Sequence, residues 1–259
     1  MNARAHTVLP HYFTRLAPFR ELFRAGVPVL TYHKLGPRPR RVRLKGLYLS
    51  QKLFLRQLRE LRAAGFATTD LADVVTGADN ALGRLALTFD DGFENVLRHG
   101  LTPLAETGFL AIEFLVAGQL GQMNDWEQAE GEAPERLMDV AQVRDWLAAG
   151  HAIGSHTLTH PFLTRLAPAR AREEIGASRK QLEDLVGQPV RHFCYPYGDW
   201  NPAVRDLVAE AGYATACTTE PGVNTATTDC FALKRITARY QTLRLGTIWR
   251  WLRGLGSGG

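Results

Sequence analysis

The sequence predicts an α/β domain built on a mostly parallel sheet. Short apolar runs and segments of helical periodicity alternate from about residue 27 onward. No internal repeat and no Ser/Gly-rich linker divides the chain. Residues capable of chemistry recur where the expected strands end. Repeated βα units of this length give a sheet that is either open or closed into a barrel, and both place a site at the carboxyl ends of the strands.

The elements follow in order. Residues 28–33 (PVLTYH) read as a buried strand. Ser50 is placed to cap a helix whose Phe54, Leu58 and Leu61 share a face and which ends at Gly65. A short strand is expected over 66–69 and a short helix from Asp70. Residues 84–89 (RLALTF) are strand-like and stop abruptly at Asp90-Asp91-Gly92. Residues 101–107 read as a helix leading through Gly108 into a strand over 111–117. Residues 119–139 break the rhythm: they are polar, acidic and rich in turn formers, and long loops in compact domains are often functional. The alternation resumes with a helix over 140–149, a strand over 152–155, a helix over 168–186 stopped by Gly187 and a strand over 191–195. Asn201-Pro202 opens a further helix running to Gly212, and the last strands are 215–219 and 232–237.

Composition narrows the class. A chain of 259 residues with 45% apolar and 22% charged residues fits one large soluble domain. Such a chain buries roughly 70–75% of its unfolded surface and needs no staples. Cys194, Cys217 and Cys230 are odd in number and lack CxxC spacing, which argues against a disulfide framework and a zinc ribbon. The formal charge is +5, with Arg38, Arg40, Arg41, Arg43 and Lys45 in one stretch, and with Arg244, Arg250 and Arg253 among the Leu and Trp residues of 242–253. One reading is attraction to an anionic membrane surface or a polyanionic substrate. The other is a solvated basic loop plus a C-terminal amphipathic helix docked by its apolar face. The first residues are interrupted by Arg4, Arg15, Arg20, Glu21 and Arg24, and no run reaches a signal-peptide core or the ~20 residues of a membrane span. The expectation is a cytoplasmic protein, at most peripheral to a membrane, with no nucleic-acid partner; the oligomeric state is left open.

Four expected strand ends carry the chemistry: His33, residues 90–92, His156 and residues 195–198. That coincidence argues for an enzyme. Adjacent carboxylates on a regular strand point to opposite faces, so Asp90 and Asp91 serve one site only if the strand ends there, which Gly92 permits. The alternative is that one of them caps a helix beginning near Phe93. In Ser155-His156-Thr157-Leu158-Thr159-His160-Pro161, two histidines stand at i, i+4. Pro161 and Gly154 disfavour a helix, so a strand running into a looped turn fits better. Asp91, His156 and His160 would make a three-ligand N,N,O site with a position open for water, the pattern of catalytic rather than structural metal sites. Tyr195, Tyr197 and Trp200 in FCYPYGDWN read either as rim packing or as a sugar-stacking wall.

Together, Thr88-Phe89-Asp90-Asp91-Gly92, the His156/His160 pair and Tyr195-Pro196-Tyr197-Gly198 resemble, in order and spacing, the three motifs of NodB-type polysaccharide deacetylases, carbohydrate esterase family 4. The resemblance spans residues 27–240, leaving 1–26 as an N-terminal extension and 241–259 as the amphipathic helix and tail. It implies a distorted (β/α) barrel and a divalent metal, zinc first with Co²⁺ or Ni²⁺ as substitutes, on Asp91, His156 and His160. It implies removal of N-acetyl groups from an N-acetylated glycan, with Asp90 as general base and the Tyr197 backbone N–H on the oxyanion. On the sugar-stacking reading, Tyr195 and Trp200 face the substrate.

Two departures matter. Cys194 stands where many members carry the arginine that orients the base, so either another cation does this, for which Arg235 is the candidate, or the base is less well oriented. No histidine follows His192, so the usual C-terminal acid motif is absent. The opening PVLTYH looks instead like the branch acting on β-1,6-linked poly-N-acetylglucosamine, in which the acid histidine is permuted to the N-terminal side. His33 would then be the general acid, and an imidazole with pKa near ~6.5 suits that task. The competing readings are an O-acetyl esterase on a glycan such as acetylxylan, or a catalytically decayed glycan-binding protein. A phosphoesterase is disfavoured because no basic residue is tied to the motifs.

Overall fold

The computed structural model describes residues 10–40, 42–76, 83–126 and 132–240. The helix expected over 241–259 lies outside the described residues. Within them the chain runs through α1 (Arg20–Arg24), β1 (Val27–Tyr32), β2 (Lys34–Leu35), β3 (Tyr48–Leu49), α2 (Gln51–Ala63), β4 (Ala67–Thr68), β5 (Arg84–Phe89) and α3 (Glu94–Thr107). It continues through β6 (Ile112–Leu115), α4 (Val140–Ala148), β7 (Ala152–Ser155), α5 (Pro168–Val186), β8 (His192–Cys194), α6 (Pro202–Glu210), β9 (Thr215–Cys217), β10 (Val223–Asn224) and β11 (Ile236–Thr237).

Strands β1, β5, β6, β7, β8 and β9 lie side by side in that order, all parallel. One segment joins the two ends of this row. Leu233 pairs with Cys217 beyond one edge, and β11, three residues later, pairs with β1 at the other. The sheet is thus closed into a distorted barrel, as the α/β pattern allowed. Short β10 runs antiparallel to β1, a pairing the alternation did not announce.

Strand alternation sorts side chains into two layers. Val29, Ala86, Phe114, Cys194, Cys217 and Leu233 fill the interior of the barrel. Leu30, Leu87, Phe89, Leu115 and Phe193 face outward against helix residues such as Phe54, Leu58, Trp146 and Ile175. The expected helix stops and caps are in place: Ser50 accepts from Leu53 N–H, Asn201 from Val204 N–H, and Gly187 takes φ 68 after α5.

One helix differs from expectation. α3 begins at Glu94 rather than near residue 101, so Pro103 lies inside it. Its buried stripe of Val96, Gly100, Pro103, Leu104 and Thr107 explains this, since tertiary burial of a continuous face outweighs the missing hydrogen bond at one proline. Residues ahead of β1 also join the core. Phe13, Leu16, Phe19 and Phe23 are buried, and Phe13 pairs with Ala238 beside the closing segment. Of the basic stretch, Arg38 donates to the Tyr240 hydroxyl at 3.0 Å and lies over its ring. No helix among the described residues is long and apolar enough to cross a membrane.

The barrel interior is tight at Gly154. A Cβ there would meet the Phe114 ring at 2.5 Å and the His192 carbonyl oxygen at 2.9 Å. Because one obstacle is backbone of the neighbouring strand, Gly154→Ala should destabilise the protein by about 1–3 kcal/mol. Urea denaturation checks this, and an unchanged midpoint would contradict it.

Candidate active site

Thr88 and Asp90 continue the inward-facing positions of β5, while Phe89 faces the helices. An extended chain would send Asp91 outward as well. Instead Asp91 has φ 79 and Gly92 φ 80, two consecutive left-handed residues that turn Asp91 back over the mouth of the barrel. A left-handed residue with a side chain costs on the order of 1–3 kcal/mol, so its neighbours must hold it. Gly92 N–H donates to Glu113 Oε1 at 3.0 Å. Neither aspartate caps α3, whose N-cap is Phe93 without a side-chain bond.

The histidine pair follows β7 in a turn strained in the same way, with Thr157 at φ 70 and His160 at φ 62. Glu174, buried on α5, holds this turn. Its Oε2 accepts Leu158 N–H and Thr159 N–H, both at 3.0 Å, and its Oε1 accepts the Thr159 hydroxyl at 2.8 Å and Arg170 at 2.6 Å. His156 Nδ1–H donates to the Cys194 carbonyl at 2.7 Å, which leaves Nε2 for a ligand role.

Asp91 Oδ1 lies 3.5 Å from His156 Nε2 and 3.3 Å from His160 Nε2. Two ligands each ~2.0–2.1 Å from a tetrahedral zinc stand about 3.3–3.4 Å apart, so the spacing suits a divalent ion of that kind. Asp90, His156 and Cys194 form a second close group, but its donors are engaged or protonated. Both Asp90 oxygens are bound by Arg235, and burial pushes the Cys194 thiol up to about 11. The Asp91 group is therefore the better cation site. Burial would raise the Asp91 carboxyl, but hydrogen bonds from both imidazoles hold it well below the usual range. Burial lowers His156, yet Cys194 beside it and the bond to Asp91 outweigh that and hold it well above its ordinary value. A cation entering here competes with that proton, so its affinity rises with pH.

Arg235, midway along the closing segment, makes a two-pronged bond to Asp90: Nη1 to Oδ1 and Nη2 to Oδ2, each 2.8 Å. Its other N–H groups reach the Thr218 carbonyl at 2.7 Å, the Thr88 hydroxyl at 3.3 Å and Cys194 Sγ at 3.1 Å. Arg235 thus reaches Asp90 from the closing segment, just ahead of β11, with the Cys194 thiol as a further contact. Burial pushes the Asp90 carboxyl up, but the Arg235 charge and its bonds, with His33 and His156 behind them, bring it below the ordinary carboxylate value. His33 Nε2 stands 3.8 Å from Asp90 Oδ2.

These groups open into a cavity of about 230 Å³, also lined by Leu44, Leu47, Trp126, Phe162, Tyr195, Tyr197 and Thr219. Tyr197, at φ 60, stacks on Phe162 with centroids 3.9 Å apart. Of the two residues expected toward the substrate, Tyr195 reaches the cavity wall but is only 1% exposed, with its hydroxyl donated to the Phe231 carbonyl. Trp200 is not among the lining residues. It stacks on Tyr195 with centroids 6.0 Å apart and packs on the core.

Three residues outside the motifs matter here. Trp126 stacks on His160 with centroids 4.5 Å apart and planes at 28°. Its loop is clasped to the 44–48 segment, where Tyr48 donates to Glu135 at 2.7 Å and Leu44 N–H donates to Glu132. Glu174 lies on the buried stripe with Ala171, Ile175, Ser178 and Leu182, and Glu113 interrupts an apolar strand. An acid on an apolar face was the available signal for both.

A family model described as polysaccharide deacetylase matches residues 78–216. The chain is 24% identical over 216 residues to YxkH of Bacillus subtilis (strain 168), provisionally described as a polysaccharide deacetylase, covering 82% of this chain and 71% of that protein. It is 26% identical over 157 residues to the peptidoglycan-N-acetylglucosamine deacetylase of Bacillus cereus, covering 61% and 63%. Its fold is similar to that of the Streptococcus pyogenes deacetylase PplD solved with acetate, at a TM-score of 0.72 and 19% identity, covering 86% of this chain and 97% of that one.

Removing the buried cation tests the central pair. Arg235→Met leaves Asp90 buried without its partner and should cost roughly 3–5 kcal/mol at pH 7. A carboxyl with a depressed folded pKa gives stability that is present above its unfolded value near ~4 and lost as pH falls through the folded value. In the variant, burial raises that pKa, so the deficit should shrink between pH 7 and pH 4.5 as Asp90 takes up a proton. A deficit in urea unfolding that does not change with pH would contradict this assignment.

Proposed function

The chain belongs to the polysaccharide deacetylase family, and from that premise we propose that it hydrolyses N-acetyl groups on an N-acetylglucosamine-containing glycan with a divalent metal, zinc first. The observation that carries this reading is the convergence of Asp91, His156 and His160 on one point beside a carboxylate held by a buried arginine. The name of the Bacillus cereus relative supports the N-acetyl linkage.

Asp91, His156 and His160 would hold the ion. When bound, such an ion supplies a Lewis acid that acidifies a water toward ~7 and polarises the acetyl carbonyl. Asp90 takes the proton of the attacking water; Arg235 keeps this carboxylate ionised and oriented, with lone pairs left toward the cavity. Attack forms a C–O bond and a tetrahedral oxyanion, which the Tyr197 backbone N–H stabilises. The C–N bond then breaks, and His33 gives its proton to the departing nitrogen. The products are acetate and the free amine of the sugar. His33 and Asp90 border the same cavity, which suits an acid and a base acting on opposite bonds of one carbon.

Acetate release from N-acetylglucosamine oligomers is the primary test, with acetylxylan as the ester comparison. Chelation should abolish release, and Zn²⁺ or Co²⁺ should restore it. Asp90→Asn should retain the ion yet lose ~10²–10⁴-fold in turnover, whereas Asp91→Asn should lose the ion itself. Full activity in protein shown to be metal-free, or release confined to acetylxylan, would refute the reading.

His33→Ala should lower turnover on the N-acetyl substrate with metal content unchanged. The loss should be smaller on an activated aryl acetate, whose leaving group needs little protonation. Equal losses on both substrates would mean that the proton comes from elsewhere.

A further inference from the structure

Glu113 belongs to none of the motifs, and the catalytic steps above do not use it. It sits at the centre of β6, wholly buried, on the helix-facing side with Ala111 and Leu115. Its Oε1 accepts Gly92 N–H at 3.0 Å, and its Oε2 is buried with no hydrogen-bond partner among the described residues. A carboxyl set in this way is a poor core residue compared with an apolar one of the same size. Packing alone gives no reason for it.

Its single bond supplies one. Gly92 is the second residue of the left-handed pair that brings Asp91 round to the histidines. A Cβ on Gly92 would lie 2.9 Å from Leu115, so the turn is pressed against β6 and its N–H has little room to find water. Without Glu113 that donor would be buried and unpaired, and the chain would relax toward the extended form, which points Asp91 away from His156 and His160. Burial, with Asp90 and Asp91 adding to it, keeps Glu113 above the ordinary carboxylate range.

We propose that Glu113 is a positioning residue for the cation site, holding the Asp91–Gly92 turn in the geometry that aims Asp91 Oδ1 at the two imidazoles. The proposal rests on the reading of Asp91, His156 and His160 as metal ligands. The test compares the full chain with Glu113→Gln, which keeps an acceptor oxygen, and Glu113→Met, which keeps the volume and removes it. Three measurements are needed: Zn²⁺ affinity by calorimetry, the visible spectrum of the Co²⁺ form, and thermal unfolding after chelation. Glu113→Gln should bind Zn²⁺ as the parent does and show the parental Co²⁺ spectrum. Glu113→Met should lose about 10- to 100-fold in Zn²⁺ affinity and show an altered spectrum. After chelation it should still melt cooperatively and near the parent, because the unpaired Gly92 N–H is offset by no longer burying a carboxyl. Parental affinity and spectrum in Glu113→Met, no rescue by Gln, or a chelated Met variant that melts well below the parent would each overturn the proposal. A parent chain that takes up neither ion would instead refute the metal reading itself, before any substitution is made.

Discussion

A carboxylate and a guanidinium buried together inside the barrel set the terms for everything around them. Asp90 is 4% exposed and Arg235 2%, and neither charge is tolerable there alone. Their two 2.8 Å bonds are possible because the segment from Leu233 to β11 crosses from β9 to β1 and passes above Asp90 as it does so. Closing the barrel and orienting the proposed base are therefore one event. Each N–H group of the guanidinium is accounted for by Asp90, Thr88, Cys194 or Thr218, the full satisfaction that a buried cation requires.

Backbone strain is concentrated at the same place. Among the described residues, the non-glycine residues with positive φ are Asp91, Thr157, His160 and Tyr197, and each borders the cavity or the turn behind it. Such conformations persist only where the surroundings over-determine them. Here two supports can be named, Glu113 behind Gly92 and Glu174 beneath the histidine turn, and at Gly198 a Cβ would collide with the Thr219 side chain. The strained residues come from three strand ends, those of β5, β7 and β8, and the two glutamates from neighbouring elements.

Three buried acids lie close together, yet their surroundings separate their states. Asp90 has an arginine and Asp91 has two imidazoles, and both fall below the usual range despite burial. Glu113 has a single backbone N–H and two negative neighbours, and rises well above it. Partners with positive charge lower the carboxyl and burial without one raises it, so one chemical group serves as proposed base, proposed ligand and proposed support.

The sequence by itself determined what short-range physics controls. Residues 84–89 and 168–186 form the expected strand and helix because periodicity and end signals over those lengths are sufficient, and Ser50 and Asn201 cap the helices they precede. The α/β class followed from the alternation. Asp90, Asp91, His156 and His160 were legible because residue types bearing chemistry stood at strand ends. What needed the tertiary structure was every pairing across distance. Arg235 was named from the sequence only as a candidate cation, and its two-pronged grip on Asp90 spans 145 positions of chain; Trp126 reaches His160 from a loop without periodicity, and Trp200 stacks on Tyr195 although it lies next to a motif. α3 runs through Pro103 because a buried stripe outweighed a local breaker. Each of these was decided by what lay opposite in the closed barrel, and a residue's opposite neighbour depends on strand order and register, which are properties of the assembled sheet rather than of any local stretch of chain.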